Sequence, residues 1–159
     1  MGPALPQNIF ARNCTVRRIG KDAAASFLAS NHRFGTASAR YHYGMFLKRR
    51  TGRSETPLEE GTLVAVATFS AARKMMDGTR SCEWVRYASV KDMRVVGGMG
   101  KMLQHFVDEV RPDDVMSYAA DCDGDAYVRL GFTLEGERTF PPSEAFPGEH
   151  RSLKFRKKF

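Results

Sequence analysis

The stretch RVVGGMGKML, residues 94 to 103, sets Gly97, Gly98 and Gly100 directly before an apolar-periodic run. A strand that ends in a glycine turn and opens a helix presents bare N–H groups at the positive helix end. Such a place takes an anion, a phosphate above all. The same glycines also serve a tight turn with no ligand, and spacing alone leaves both readings open. A Walker A loop is excluded, because Lys101 follows Gly100 at once and the first glycine of that pattern is missing. Metal chemistry finds no support either. Cys14, Cys82 and Cys122 make no pair at zinc-ligand spacing with His32, His42, His105 or His150. DCDGD at 121 to 125 begins like a calcium loop, but the bidentate Glu of such a loop would fall on Phe132. No metal is expected.

The elements around these residues follow from periodicity. CTVRRI (14 to 19) reads as a strand, and Asp22 as the cap of a helix through AAASFLASN. YHYGMFLKRR, TLVAVATFS (62 to 70) and SCEWVRYASV (81 to 90) read as three consecutive strands. Strict alternation in the last puts Glu83, Val85 and Tyr87 on one face and Cys82, Trp84, Arg86 and Ala88 on the other. Met99, Met102, Leu103, Phe106, Val107 and Val110 form one stripe of a helix after the glycines. DDVMSYAA is a strand, DGDAYVRL a short helix and GFTLEGE a strand, and RSLKFRKK alternates like a last edge strand. Three strands in a row imply antiparallel pairing, and the strand–helix–strand unit from 81 to 120 implies a parallel crossover. The expected fold is a mixed α/β (α+β) sheet, mostly antiparallel, with one parallel junction at the glycine loop and flanking helices.

Composition sets the outer bounds. The 159 residues suit a single domain over 13–159 behind a flexible arm over 1–12, since MGPALPQNIF lacks the charged and apolar regions of a signal peptide. No apolar run approaches the roughly eighteen residues of a membrane span, so no membrane partner is expected. An odd number of scattered cysteines points to a reducing, cytoplasmic setting. The net charge of +7 gathers in KRRTGR (48 to 53) and HRSLKFRKKF (150 to 159). It favours a polyanionic partner or simply a solvated surface. In the first case Arg151, Lys154, Arg156 and Lys158 would stand on the exposed face of an edge strand.

Element order and motifs together resemble the GCN5-related N-acetyltransferase (GNAT) superfamily. GMGKML is similar to the second half of its pyrophosphate-binding pattern, and DAYVRLGF (125 to 132) to its helix–Gly–Phe ending. The resemblance implies an acetyl-coenzyme A donor held by Val90, Arg94, Val95, Val96, Gly97, Gly98, Met99, Gly100 and Lys101. It also implies that Tyr127 protonates the departing thiolate. FLASNHRFG, CEWVRYAS and MSYAADCDGDAYVRLGF further resemble a bacterial and phage branch with relatives of the DNA-modifying Mom protein.

Acyl transfer to an amine needs a proton acceptor, a stabilised carbonyl oxygen and a leaving thiolate. Glu83, on the strand at the parallel junction, is the candidate base, directly or through water. His32 lines the acceptor pocket or serves as base near neutral pH. The expectation is therefore an acyl-coenzyme A-dependent N-acetyltransferase with a coenzyme A thioester and an amine-bearing acceptor as partners. A Mom-like enzyme acting on DNA or RNA bases, and a non-catalytic basic nucleic-acid-binding module, stand as alternatives.

Overall fold

The computed structural model describes residues 7–50, 58–120, 124–142 and 150–159. The chain runs through β1 (Gln7–Phe10), a 3-10 turn, β2 (Cys14–Arg18), α1 (Lys21–Asn31), β3 (Tyr41–Leu47) and β4 (Leu63–Phe69). There follow β5 (Arg73–Lys74), β6 (Arg80–Ser89), β7 (Met93–Val96), α2 (Gly98–Val110) and β8 (Asp114–Ala120). The last elements are α3 (Gly124–Arg129), β9 (Thr133–Phe140) and β10 (His150–Lys158).

The main sheet has the order β2-β3-β4-β6-β8-β10-β9, with the short β5 beside β6. Its pairs are antiparallel except β6–β8, which α2 connects as a parallel crossover. This is the mixed sheet the sequence predicts, with its parallel junction in the expected place. The continuous apolar run of β4 is buried on both faces. On one face Met102, Leu103 and Phe106 of α2 pack on Tyr43, Phe69 and Trp84, and Phe69 stacks on Phe106 with ring centroids 3.9 Å apart. On the other, Ala24 and Leu28 of α1 close over Val66 and Ala88. Among the described residues no helix is long and apolar enough to cross a membrane.

Four expectations need correction. The arm expected over 1–12 carries a strand from Gln7, because β1 pairs in parallel with β7 from Gln7↔Met93 to Phe10↔Val96, burying Ile9. This second parallel pair was not foreseen. The cap of α1 is Gly20, with Asp22 in the first turn. β10 is no edge strand: it lies between β8 and β9 and pairs with both. Several of its basic residues are held by the neighbouring strands, while Arg151 and Lys158 remain exposed as expected. Arg156 pairs with Asp114 and Glu135, Lys154 with Glu135 and Arg151 with Glu137, while Lys157 donates to the Leu130 carbonyl at 2.7 Å. Finally, strict alternation fails in β6. Thr68 pairs with Arg86 and Phe69 with Trp84, so Val85 is one residue too many, a β-bulge. The bulge turns Tyr87 onto the face of Trp84, their rings 6.1 Å apart edge to face, and leaves Arg86 and Ala88 on the face of α1.

Candidate active site

β6 and β8 hold together over three rungs, Ser81↔Asp114, Cys82↔Val115 and Glu83↔Met116, and then part. The bulge at Val85 follows on the next turn of the pleat, so the ladder has no rung to continue with. Ser117 sits in the fork, 1% exposed. Its hydroxyl lies 3.0 Å from the Trp84 carbonyl and 3.0 Å from the Tyr127 hydroxyl. A carbonyl only accepts, so the single Ser117 proton goes to Trp84 and the Tyr127 phenol donates to Ser117.

Above the fork the strands enclose a cavity of about 690 Å³, lined by His32, Phe34, Arg86, Tyr118, Tyr127 and Arg129 among others. A second hollow of about 320 Å³ runs along Gly97, Gly98, Met99 and Gly100. The two share Tyr87, Arg94, Met99, Ala126 and Arg129, so they form one continuous cleft.

At its outer end the glycine loop has the local structure of an anion cradle. Gly97 takes a left-handed φ of 78° and caps α2 without a side-chain bond. The first helix amide to reach a carbonyl is that of Lys101, on Gly97 at 3.1 Å. The amides of Gly98, Met99 and Gly100 precede it, at the positive end of a thirteen-residue helix. Gly98 has a different task. A Cβ there would collide with the Tyr87 hydroxyl and lie 2.9 Å from Val95 Cγ1, so the helix packs on the bulged strand only with glycine.

The expected donor residues divide. Arg94, Val95, Val96 and the segment Gly97 to Gly100 border the cleft. Lys101 does not serve it: its ammonium donates to the carbonyls of Ala11 (2.9 Å) and Cys14 (2.6 Å), tying the N-terminal segment to α2. Val90 is likewise engaged elsewhere. Its amide donates to Val64, its carbonyl accepts from Met93, and its side chain packs on the core.

Tyr127 reaches the cleft from α3 with its ring clamped, stacked on Phe155 (5.5 Å) and edge-on to Trp84 (5.9 Å) and Phe132 (5.4 Å). The helix ends where the motif says it should: Gly131 turns left-handed at φ 91°, and the Phe132 amide returns to the Tyr127 carbonyl. Glu83 stands on the last paired rung, one step below the cavity and not in its lining. Burial pushes its carboxyl above the usual glutamate range, against the pull of Arg86, Arg73 and Arg138. His32 follows α1 and lines the cavity, but its Nδ1 accepts the Phe34 amide at 3.0 Å. That nitrogen's lone pair is therefore engaged by the backbone, while the ring lines the cavity. Asn31 braces the same corner, donating to the Phe27 carbonyl and accepting the Lys91 amide.

Sequence reasoning passed over Ser117 as a chemical group, and over Arg129 and Asp125. Arg129 lies two residues after Tyr127 in the matched motif, so its helical neighbourhood was readable. Ser117 belongs to the resembling stretch MSYAADCDGDAYVRLGF, but that gave it no role, because its partners depend on where the strands part. Cys14 and Cys82 are buried thiols whose pKa values burial raises, so neither is an activated nucleophile. Among the described residues no group of three or more His, Cys, Asp or Glu could hold a metal ion. Cys122, Asp121 and Arg53 lie outside the described residues.

No family model matches the chain, and no curated protein matches it in sequence. Solved structures do match its fold. The ribosomal-protein-S18-alanine N-acetyltransferase from Escherichia coli superposes with a TM-score of 0.60 at 15% identity, covering 91% of this chain and 93% of the other. The protein yncA from Salmonella typhimurium, solved with its cofactor acetyl-CoA, gives 0.61 at 14% identity over 92% and 94%. Arabidopsis thaliana Naa50, solved with the bisubstrate analogue CoA-Ac-MVNAL, gives 0.62 at 10% identity over 92% and 99%. At such identities the likeness is one of fold.

Proposed function

We propose that this chain, which has the fold of the N-acetyltransferases, is an acyl-coenzyme A-dependent N-acyltransferase that passes an acetyl group to an amine. One observation carries the reading: the uncapped glycine loop opens into a cleft that runs to the fork of β6 and β8, where a phenol is held at the bottom. Acetyl-coenzyme A supplies the activated thioester carbonyl and a thiolate leaving group. The amides of Gly98, Met99 and Gly100 suit its pyrophosphate, with Arg94 and Arg129 beside them. Glu83 takes the proton of the acceptor amine through a water, because it stands below the cavity rather than in it. Tyr127 gives its proton to the departing sulfur. Ser117 holds that proton in the resting site and fixes the phenol's orientation.

Acetyl-CoA is expected to raise the melting temperature, as a ligand of the folded state does by mass action. Gly100→Val removes that shift while the protein stays folded, since a Cβ at Gly100 meets only Leu130 Cδ2, at 3.4 Å. Tyr127→Phe keeps the shift and lowers turnover by about 10²-fold. An unchanged melting temperature in millimolar acetyl-CoA overturns the proposal.

A further inference from the structure

Arg86 stands at the end of the cleft away from the glycine loop, beside His32, Phe34 and Tyr118. Its Nε donates to the Gly35 carbonyl at 3.1 Å and its Nη1 to the Val85 carbonyl at 3.0 Å. These bonds fix the plane of the guanidinium and use two of its five N–H groups. Among the described residues no carboxylate lies within ion-pair distance of it. The contrast with Arg156, which holds two carboxylates, shows what this chain does with an arginine meant only to tie strands together. Burial disfavours the charge on Arg86, and Glu83 only partly restores it. A half-buried guanidinium that lines the cavity, is fixed by two backbone carbonyls and holds no carboxylate in an ion pair is a site short of one anion.

We infer that the acceptor is an amine bearing a carboxylate or phosphate a few bonds from its nitrogen, and that Arg86 binds this anion. The inference rests on the N-acyltransferase reading and names its acceptor class. The bulge makes Glu83 and Arg86 successive residues on one face of β6, about 7 Å apart along the strand. An amine over Glu83 thus leaves its acid group at Arg86, as in an amino acid or an aminoalkyl phosphate. A polyamine would set a second cation against Arg86 and gains nothing there.

The test is coenzyme A release with matched acceptors: amino acids against their carboxamides, and aminoalkyl phosphates against the corresponding alcohols. In the unmodified protein the anionic member of a pair is expected to lead in kcat/KM by about 10- to 100-fold, the worth of a charge-assisted bond. Whichever pair shows the larger gap identifies carboxylate or phosphate. Arg86→Gln collapses the gap through the acceptor KM, with the KM for acetyl-CoA unchanged. Arg86→Lys, which keeps the charge without the fork, retains part of it, and so separates anion binding from support of the Gly35 loop. A gap that survives in Arg86→Gln overturns the inference, as does preference for the neutral or polycationic amines. A protein that acetyl-CoA stabilises but that acetylates none of the anionic amines overturns it too. Failure of the N-acyltransferase reading itself shows separately, as no stabilisation by acetyl-CoA.

Discussion

Burial raises the Glu83 pKa, while Arg86, Arg73 and Arg138 pull the other way and lose. The sign of the consequence is fixed. A carboxyl whose folded pKa exceeds its unfolded value costs stability wherever it is ionised in the fold, and the cost fades as pH falls through the folded pKa. Glu83→Gln is therefore expected to raise the melting temperature at pH 7, with the gain shrinking toward pH 4, while the acidic limb of the pH–rate profile flattens. Calorimetry and initial rates across that range check both. A variant that loses stability at neutral pH contradicts the assigned burial. Ser117 gives a second test at this scale. In Ser117→Ala the Tyr127 phenol loses its buried acceptor, so turnover falls, whereas Ser117→Thr restores it. Loss of stability with unchanged turnover leaves Ser117 as a strand tie alone. Glu83 and Tyr127 stood out in the sequence as candidates, the one as a carboxylate on a strand, the other through the resemblance of DAYVRLGF. Ser117 stood in the resembling stretch MSYAAD without a role, since its partner, the Trp84 carbonyl, lies 33 residues away.

Elements were legible wherever one period held from end to end. The stripe of α2 and the apolar run of β4 stand where periodicity put them. β6 was read correctly as a strand and wrongly as to its faces. A bulge inserts one residue into a pattern of two, and nothing in SCEWVRYASV announces it; only pairing with β4 does. The same bulge brings Tyr87 under α2, where its hydroxyl occupies the space a side chain at Gly98 would need. Gly98→Ala is thus expected to destabilise by about 1–3 kcal/mol through overpacking. Tyr87→Phe frees that space, so the double variant is less destabilised than the sum, with a coupling above about 0.5 kcal/mol measured in denaturant. The rescue is partial because Val95 stays close. Strict additivity would mean that α2 shifts away instead of pressing on the tyrosine.

For the whole molecule, net charge suggested more than it delivers. The basic C-terminal run drew attention as a surface for polyanions, yet Arg151, Lys154 and Arg156 answer acids on β8 and β9. Composition counts charges and cannot see which are already paired. It also cannot see that β10 is an internal strand, because alternation looks the same at an edge and in the middle of a sheet. That position bears on the order of assembly. β8 and β9 are successive strands in the chain but not neighbours in the sheet; they leave a gap one strand wide that β10, made after both, must enter. Until then both present unpaired edges, the surfaces on which chains cross-associate. Synthesis stalled before His150 is expected to leave an aggregating product, because β8 and β9 then lack the strand that joins them. A peptide of residues 150–159, supplied in trans to the chain that lacks them, should restore solubility, and the time it takes would clock the final step by which the sheet closes.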